Sequence, residues 1–216
     1  MCEIKKSRCV IIGGADIGDY TAIRCQLRSD DFFVYCDSGL KHMHALQATP
    51  GLIVGDFDSH ENPHLPVETI VLPCEKDDTD TVYAVKTCLQ RGYEDFLLIG
   101  AAGARLDHTI GNVSVLLYLH SIGKHGKLLD DYSEMEIVSG TPAYIPDHFA
   151  FFSLLNITGQ AKGIFIQNAK YPLENGEIPC TYQYGISNEV LPGKTAVVYV
   201  TNGELLLVKV RHGATG

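Results

Sequence analysis

Two short acidic clusters set the chemistry open to this chain. They are Gly55-Asp56-Phe57-Asp58-Ser59 and Asp77-Asp78-Thr79-Asp80. Carboxylates about 4 Å apart repel by roughly 4 kcal/mol at an effective dielectric of ~20, so a fold that gathers them needs a cation between them. Oxygen ligands with no sulfur or imidazole beside them suit Mg²⁺, Mn²⁺ or Ca²⁺. Mg²⁺ takes one or two carboxylates and completes its shell with waters and substrate phosphates. Phosphate handling is therefore the first functional question these residues raise.

Each piece also has a plain structural reading. Asp56 and Asp58 can stabilise a turn, Asp78 and Asp80 suit the positive end of a helix dipole, and Arg105 can pair with Asp107. Position argues for more than that. Apolar runs bounded by turn residues predict strands at Cys9–Ile12, Phe32–Cys36, Leu52–Val54, Thr69–Leu72 and Phe96–Ile99. Asp37 follows the second run, Asp56 and Asp58 the third, and Asp77 to Asp80 the fourth. Arg105, Asp107 and His108 follow the fifth through the small-residue loop Gly100-Ala-Ala-Gly103-Ala. Polar residues gathered at the carboxyl ends of parallel strands mark the ligand site of an open α/β sheet.

Helices are predicted at about 17–28, 39–47, 79–91 and 108–122, between those strands. For the third, Thr79 or Asp78 can cap the start and Gly92 the end. Val82, Val85, Cys88 and Leu89 then share one face. Strand–helix alternation of this kind predicts a parallel, Rossmann-like sheet in an α/β domain. From about residue 128 the pattern changes to strands alone: Ala150–Leu155, Gly163–Ile166, Ala196–Val200 and Leu205–Val210. Asn202-Gly203, between the last two, reads as a hairpin turn. The expected organisation is an α/β domain over 1–127 and an all-β sandwich or barrel over 128–216.

Two phosphate-loop candidates carry little. Gly193-Lys194-Thr195 has the end of a Walker A loop, but Asn188 stands where its first glycine belongs and a strand follows. Gly13-Gly14-Ala15-Asp16-Ile17-Gly18 lacks the dinucleotide fingerprint, although its backbone N–H groups could still face a phosphate.

The ordered set of motifs resembles the thiamine pyrophosphokinases. It comprises Cys36-Asp37-Ser38-Gly39, Gly55-Asp56-Phe57-Asp58-Ser59, Asp77-Asp78-Thr79-Asp80, Gly103-Ala104-Arg105-Leu106-Asp107-His108, Lys170-Tyr171-Pro172-Leu173 and Gly185-Ile186-Ser187-Asn188-Glu189. The resemblance implies an N-terminal α/β domain that binds ATP and Mg²⁺. It also implies a C-terminal β-sandwich for thiamine binding and dimerisation, and a homodimer with active sites at the subunit interface. The reaction it implies moves the pyrophosphoryl group of ATP to the hydroxyl of thiamine and releases AMP. By the same resemblance, Asp56, Asp58 and Asp80 match metal-binding positions. Asp37, Asp77, Arg105 and Asp107 match positions lining the nucleotide or thiamine pocket, and Ser187 and Asn188 match the segment that reaches thiamine. Asp107 and Asp80 are both candidates to take the hydroxyl's proton. The chain departs from the family pattern at Ser38, where glycine is usual, and in the alanines of the Gly100–Ala104 loop. It has no Trp, and Tyr182 and Tyr184 stand just upstream of Ser187.

Composition narrows the alternatives. Lys plus Arg number 17 against 26 Asp plus Glu, and the net charge of −9 argues against a general nucleic-acid binder. Seven cysteines, an odd count with no Cys-x-x-Cys pair, argue against a disulfide scaffold or zinc ribbon. Most are expected to pack as small hydrophobes in a reducing cytoplasm. His42-x-His44 has no second ligand pair to complete a zinc site. No apolar stretch reaches the ~18 residues of a membrane span. Two other readings keep part of the site: a pyrophosphokinase for another alcohol, such as a hydroxymethylpterin, and a non-catalytic regulator that binds thiamine or nucleotide.

Overall fold

The computed structural model describes residues 7–58, 64–75, 77–103 and 105–213. Ser59 and Ala104, members of two of the motifs above, lie outside the described residues, as does Cys2. The chain divides into two compact units, Met1–Asp131 and Tyr132–Gly216. The expected boundary at 127/128 falls inside a strand of the first unit.

In the first unit, apolar-rich runs form β1 (Cys9–Ile12), β2 (Phe32–Cys36), β3 (Leu52–Gly55), β4 (Thr69–Val71), β5 (Asp95–Ile99) and β6 (His125–Leu129). All pair in parallel, in the order β4-β3-β2-β1-β5-β6. Every residue of β1 and β3 is buried, as a strand covered on both faces requires. The helices are α1 (Tyr20–Arg24), α2 (Met43–Leu46), α3 (Asp80–Gln90) and α4 (Leu106–Ser121). Val10, Ile12, Tyr35, Ile53, Leu97 and Ile99 share one core with Ile23 of α1 and Leu46 of α2. Helix α3 packs against β1, β2 and β3. Its start is capped by the Thr79 hydroxyl, which accepts from the Val82 N–H.

Two predicted helices are shorter than their patterns. The first is limited to Tyr20–Arg24, because Asp131 accepts from the Gly18 and Asp19 N–H groups and holds that entry in a loop. The second is split into a 3₁₀ turn, Asp37–His42, followed by the single turn α2.

The second unit contains no helix among its described residues. Its strands are β7 (Ser133–Val138), β8 (Ala143–Pro146), β9 (Phe149–Leu155), β10 (Ala161–Gln167), β11 (Leu173–Glu177), β12 (Thr195–Gly203) and β13 (Leu205–Arg211). They pair antiparallel in two sets, β7-β13-β9 and β11-β10-β12-β8. Val138, Phe152, Leu154, Leu205 and Leu207 of one set share a core with Ile145, Ile164, Ile166, Val198 and Val200 of the other. This is a sandwich.

The hairpin read at Asn202-Gly203 is not formed. β12 stays paired with β10 through Gly203, whereas β13 joins β7 and β9 in the other sheet. Gly203 has φ +94°, and a Cβ there would stand 1.9 Å from the Gln160 carbonyl oxygen. The glycine serves a crossing between sheets, a use with the same local signature as a tight turn. Three of the described cysteines, Cys9, Cys36 and Cys88, are buried, but Cys25, Cys74 and Cys180 are exposed, so burial is less general than expected.

Candidate active site

The order of the first sheet places a switch point at β1. The chain steps outward from β1 to β4, then returns to lay β5 on β1's other side. A cavity of about 650 Å³ opens at the carboxyl ends of these strands, lined in part by Gly13–Asp16 after β1, Asp37 and Lys41 after β2, Asp58 after β3, Thr79 and Asp80 after β4, and Arg105 after β5. Open α/β sheets bind ligands in that place.

Three carboxylates converge at this edge. Asp37, Asp56 and Asp58 each bring an oxygen within 4.8 Å of the others. Local backbone geometry makes this possible. Asp37 has φ +34° and Phe57 has φ +55°, conformations that non-glycine residues rarely adopt. Phe57 packs against the apolar core while the carboxylates on either side of it join the cluster. The Asp58 N–H donates to Asp56 Oδ1 at 3.4 Å. Gly55 lets the two chain segments approach, since a Cβ there would lie 3.0 Å from the Asp37 Cβ. Backbone strain of this kind persists where surrounding structure enforces it, commonly at functional sites.

Asp80 is not in the converging triple; it lines the same cavity from the first turn of α3. Asp77 is exposed and outside the lining. Arg105 lines the cavity, with its Nε and Nη2 donating to the two carboxylate oxygens of Asp107 at 2.9 and 2.7 Å. Those hydrogen bonds hold the Asp107 carboxyl far below its usual range, a poor setting for a proton acceptor. Cys36 also lines the cavity. Burial, followed by the nearby Asp80 charge, pushes its thiol well above its ordinary value, so it stays a neutral thiol.

His42 anchors the loop after β1. Its Nε2 lies 2.9 Å from the Ala15 carbonyl oxygen and its Nδ1 2.8 Å from the Tyr20 hydroxyl. A carbonyl only accepts, so Nε2 carries the proton and Nδ1 accepts from tyrosine. Burial lowers the ring's affinity for a second proton, partly opposed by the Ala15 carbonyl. This histidine is a structural clamp, not half of a zinc site.

In the second unit, Asn188 is buried, at 5% exposure. Its Oδ1 accepts from the Tyr171 and Glu189 N–H groups at 3.0 and 2.9 Å, and its Nδ2 donates to the Tyr171 carbonyl at 2.8 Å. The amide therefore braces the chain around Tyr171. Ser187 is exposed, with φ +58°. Tyr171, Tyr182, Tyr184 and Ile186 are exposed in the same unit.

The family model of the thiamin pyrophosphokinase catalytic domain matches residues 24–125, and that of the thiamin pyrophosphokinase vitamin B1 binding domain matches residues 144–206. The chain belongs to the thiamin pyrophosphokinase family. The thiamine pyrophosphokinase of Bacillus subtilis strain 168 is 24% identical over 163 residues, covering 72% of this chain and 76% of that protein. The crystal structure of thiamine pyrophosphokinase from Bacillus subtilis superposes with a TM-score of 0.84 at 20% identity, over 95% of this chain and all of that one. That of thiamin pyrophosphokinase from Geobacillus thermodenitrificans gives 0.82 at 22% identity, over 96% and 99%. The Candida albicans thiamin pyrophosphokinase gives 0.77 at 14% identity, over 95% and 89%. At these identities the superpositions establish the fold.

Asp37, Asp56, Asp58, Asp77, Asp80, Arg105 and Asp107 fall inside the thiamin pyrophosphokinase catalytic-domain match, and Ser187 and Asn188 inside the B1-binding match. Sequence reasoning missed Lys41 and Asn112, both of which line the cavity. Asn112 is buried and donates to the Ala101 carbonyl at 2.7 Å. No motif flags either residue. Lys41 would have been found by asking which cation follows Asp37 on the same turn.

Proposed function

We propose that the cavity of the first unit binds ATP with Mg²⁺ and transfers its pyrophosphoryl group to the hydroxyl of thiamine, giving thiamine diphosphate and AMP. The observation that carries this reading is the convergence of Asp37, Asp56 and Asp58 at the rim of a cavity placed at the sheet's switch point. The donor set suits the ion: oxygen ligands alone, and few enough to leave room for phosphates. Asp37, Asp56 and Asp58 would hold Mg²⁺, with Asp80 facing the same cavity. When bound, the ion neutralises phosphate charge as it develops during in-line displacement.

The chain's own groups do the remaining work. Arg105 lends its guanidinium charge to phosphate oxygens from the cavity lining, while Asp107 holds its Nε and Nη2 edge. Asp80 accepts the proton of the attacking hydroxyl, since it lines the cavity whereas Asp107 is held by Arg105. Asp107 positions Arg105. In the second unit, Ser187 and the exposed rings of Tyr171, Tyr182 and Tyr184 contact thiamine, while Asn188 holds the Tyr171 backbone. The chain works as a homodimer in the cytoplasm, where ATP, Mg²⁺ and reduced thiols coexist.

Phosphorus NMR of the purified chain with ATP, Mg²⁺ and thiamine tests the reaction. AMP and thiamine diphosphate should form together, and neither should appear when thiamine or Mg²⁺ is omitted. ADP with thiamine monophosphate would overturn the position of attack. Turnover of a hydroxymethylpterin in place of thiamine would overturn the acceptor. Light scattering tests the dimer.

A further inference from the structure

The cavity's described lining includes two firmly cationic side chains, Lys41 and Arg105, among the carboxylates of Asp16, Asp37, Asp58 and Asp80. The two cations are held differently. Arg105 is gripped at both ends of its fork by Asp107. Among the described residues, the Lys41 ammonium makes one polar contact, from Nζ to Asp16 Oδ1 at 2.7 Å. The Asp16 side chain is 96% exposed and that of Lys41 37%. An ion pair so open to water is weak and exchanges readily.

The backbone beneath Lys41, by contrast, is fixed. Lys41 sits on the 3₁₀ turn Asp37–His42, whose first residue belongs to the converging carboxylates. His42, at its other end, is buried and tied to Ala15 and Tyr20. A flexible ammonium on a rigid base can be placed accurately. We propose that Lys41 binds the polyphosphate of the incoming nucleotide, exchanging the Asp16 carboxylate for a phosphate oxygen.

Asp16 is then a competitor for the ammonium, displaced when nucleotide enters. The substrate of this contact is a nucleoside triphosphate, so the proposal rests on the nucleotide reading of the cavity.

Calorimetric titration with α,β-methylene-ATP and Mg²⁺ tests it, because that analogue binds without turning over. The wild-type chain, Lys41→Gln, Lys41→Arg and Asp16→Asn are compared, with circular dichroism to verify folding. Lys41→Gln should weaken binding at least about tenfold, the scale of one charge-assisted hydrogen bond. Lys41→Arg should stay within about threefold of wild type, and Asp16→Asn should bind as tightly as wild type or more so. Wild-type affinity in folded Lys41→Gln overturns the proposal and leaves the nucleotide reading standing. Equal weakening by all three substitutions also overturns it, since the pair would then be structural. A wild-type chain that does not bind the analogue overturns the nucleotide reading and this proposal together.

Discussion

Both units gather acidic side chains, and they do so in opposite ways. In the second unit, Glu134 and Glu136 meet Lys209 at 3.1 and 2.8 Å, and Arg211 reaches Glu134 at 3.1 Å. Lys209 is buried and also lies over the Phe149 ring. Burial opposes its charge, but Glu136 and Glu134 outweigh that and leave its pKa above the ordinary value. In the first unit, Asp37, Asp56 and Asp58 face one another at the edge of an open cavity. A cluster of matched signs completes itself and serves the fold. Like charges drawn together beside open space prepare a place for a cation from solution.

The contrast is broken most directly at Asp58. Asp58→Asn should lower AMP formation by about 10³-fold or more, a loss of several kcal/mol of transition-state stabilisation. The melting temperature should hold or rise, because a repelling charge has gone. A folded variant with wild-type turnover would sink the metal assignment.

Removing one partner from the matched cluster should do the reverse. Lys209→Met should destabilise the chain by about 3–5 kcal/mol in urea unfolding, since it leaves two glutamates in place without their ammonium. Adding Glu134→Gln and Glu136→Gln should restore much of that loss. The pairing has a pH signature too. A raised lysine pKa contributes stability that is fully present below about 10.4, the unfolded value, and is lost as pH rises through the folded value. An alkaline stability profile indifferent to Lys209→Met would count against the network.

Smaller effects separate Ser187 from Asn188. Asn188→Ala should cost about 1–3 kcal/mol of stability, because it strips partners from the Tyr171 backbone. Ser187→Ala should stay within about 0.5 kcal/mol and raise the KM for thiamine. If Asn188→Ala raises that KM at unchanged stability, the brace assigned here is wrong.

The smallest effect concerns His42. Its lowered pKa means the unfolded chain binds the extra proton more readily. Stability is therefore complete above about 6.5, the unfolded value, and declines as pH falls from there towards the folded value. That decline should be absent in His42→Gln, as read by urea midpoints.

Several features were legible along the chain. Apolar runs between turn residues located β1 and β2 to the residue; β1 is buried throughout and β2 over Val34–Cys36, and a strand buried on both faces favours apolar side chains. The acidic clusters and Asp37 were correctly placed after their strands. What local pattern could not reveal was which carboxylates meet. Asp37 rather than Asp80 joins Asp56 and Asp58, and that depends on a positive φ at Asp37 and on the missing side chain at Gly55. Asn188 looks like a ligand contact in a motif, yet its amide bonds the Tyr171 backbone, 17 residues away in sequence, and the neighbouring Glu189 N–H.

Residue order alone therefore carried the alternation of strands and helices, the change to an all-β unit, and the presence of hard oxygen donors. Those are properties of short windows, where periodicity and side-chain chemistry suffice. The membership of the carboxylate triple, the corner at Gly203 and the entry of Lys41 into the cavity came from packing. Each depends on contacts between segments distant in the chain, at distances where a single Cβ changes the outcome.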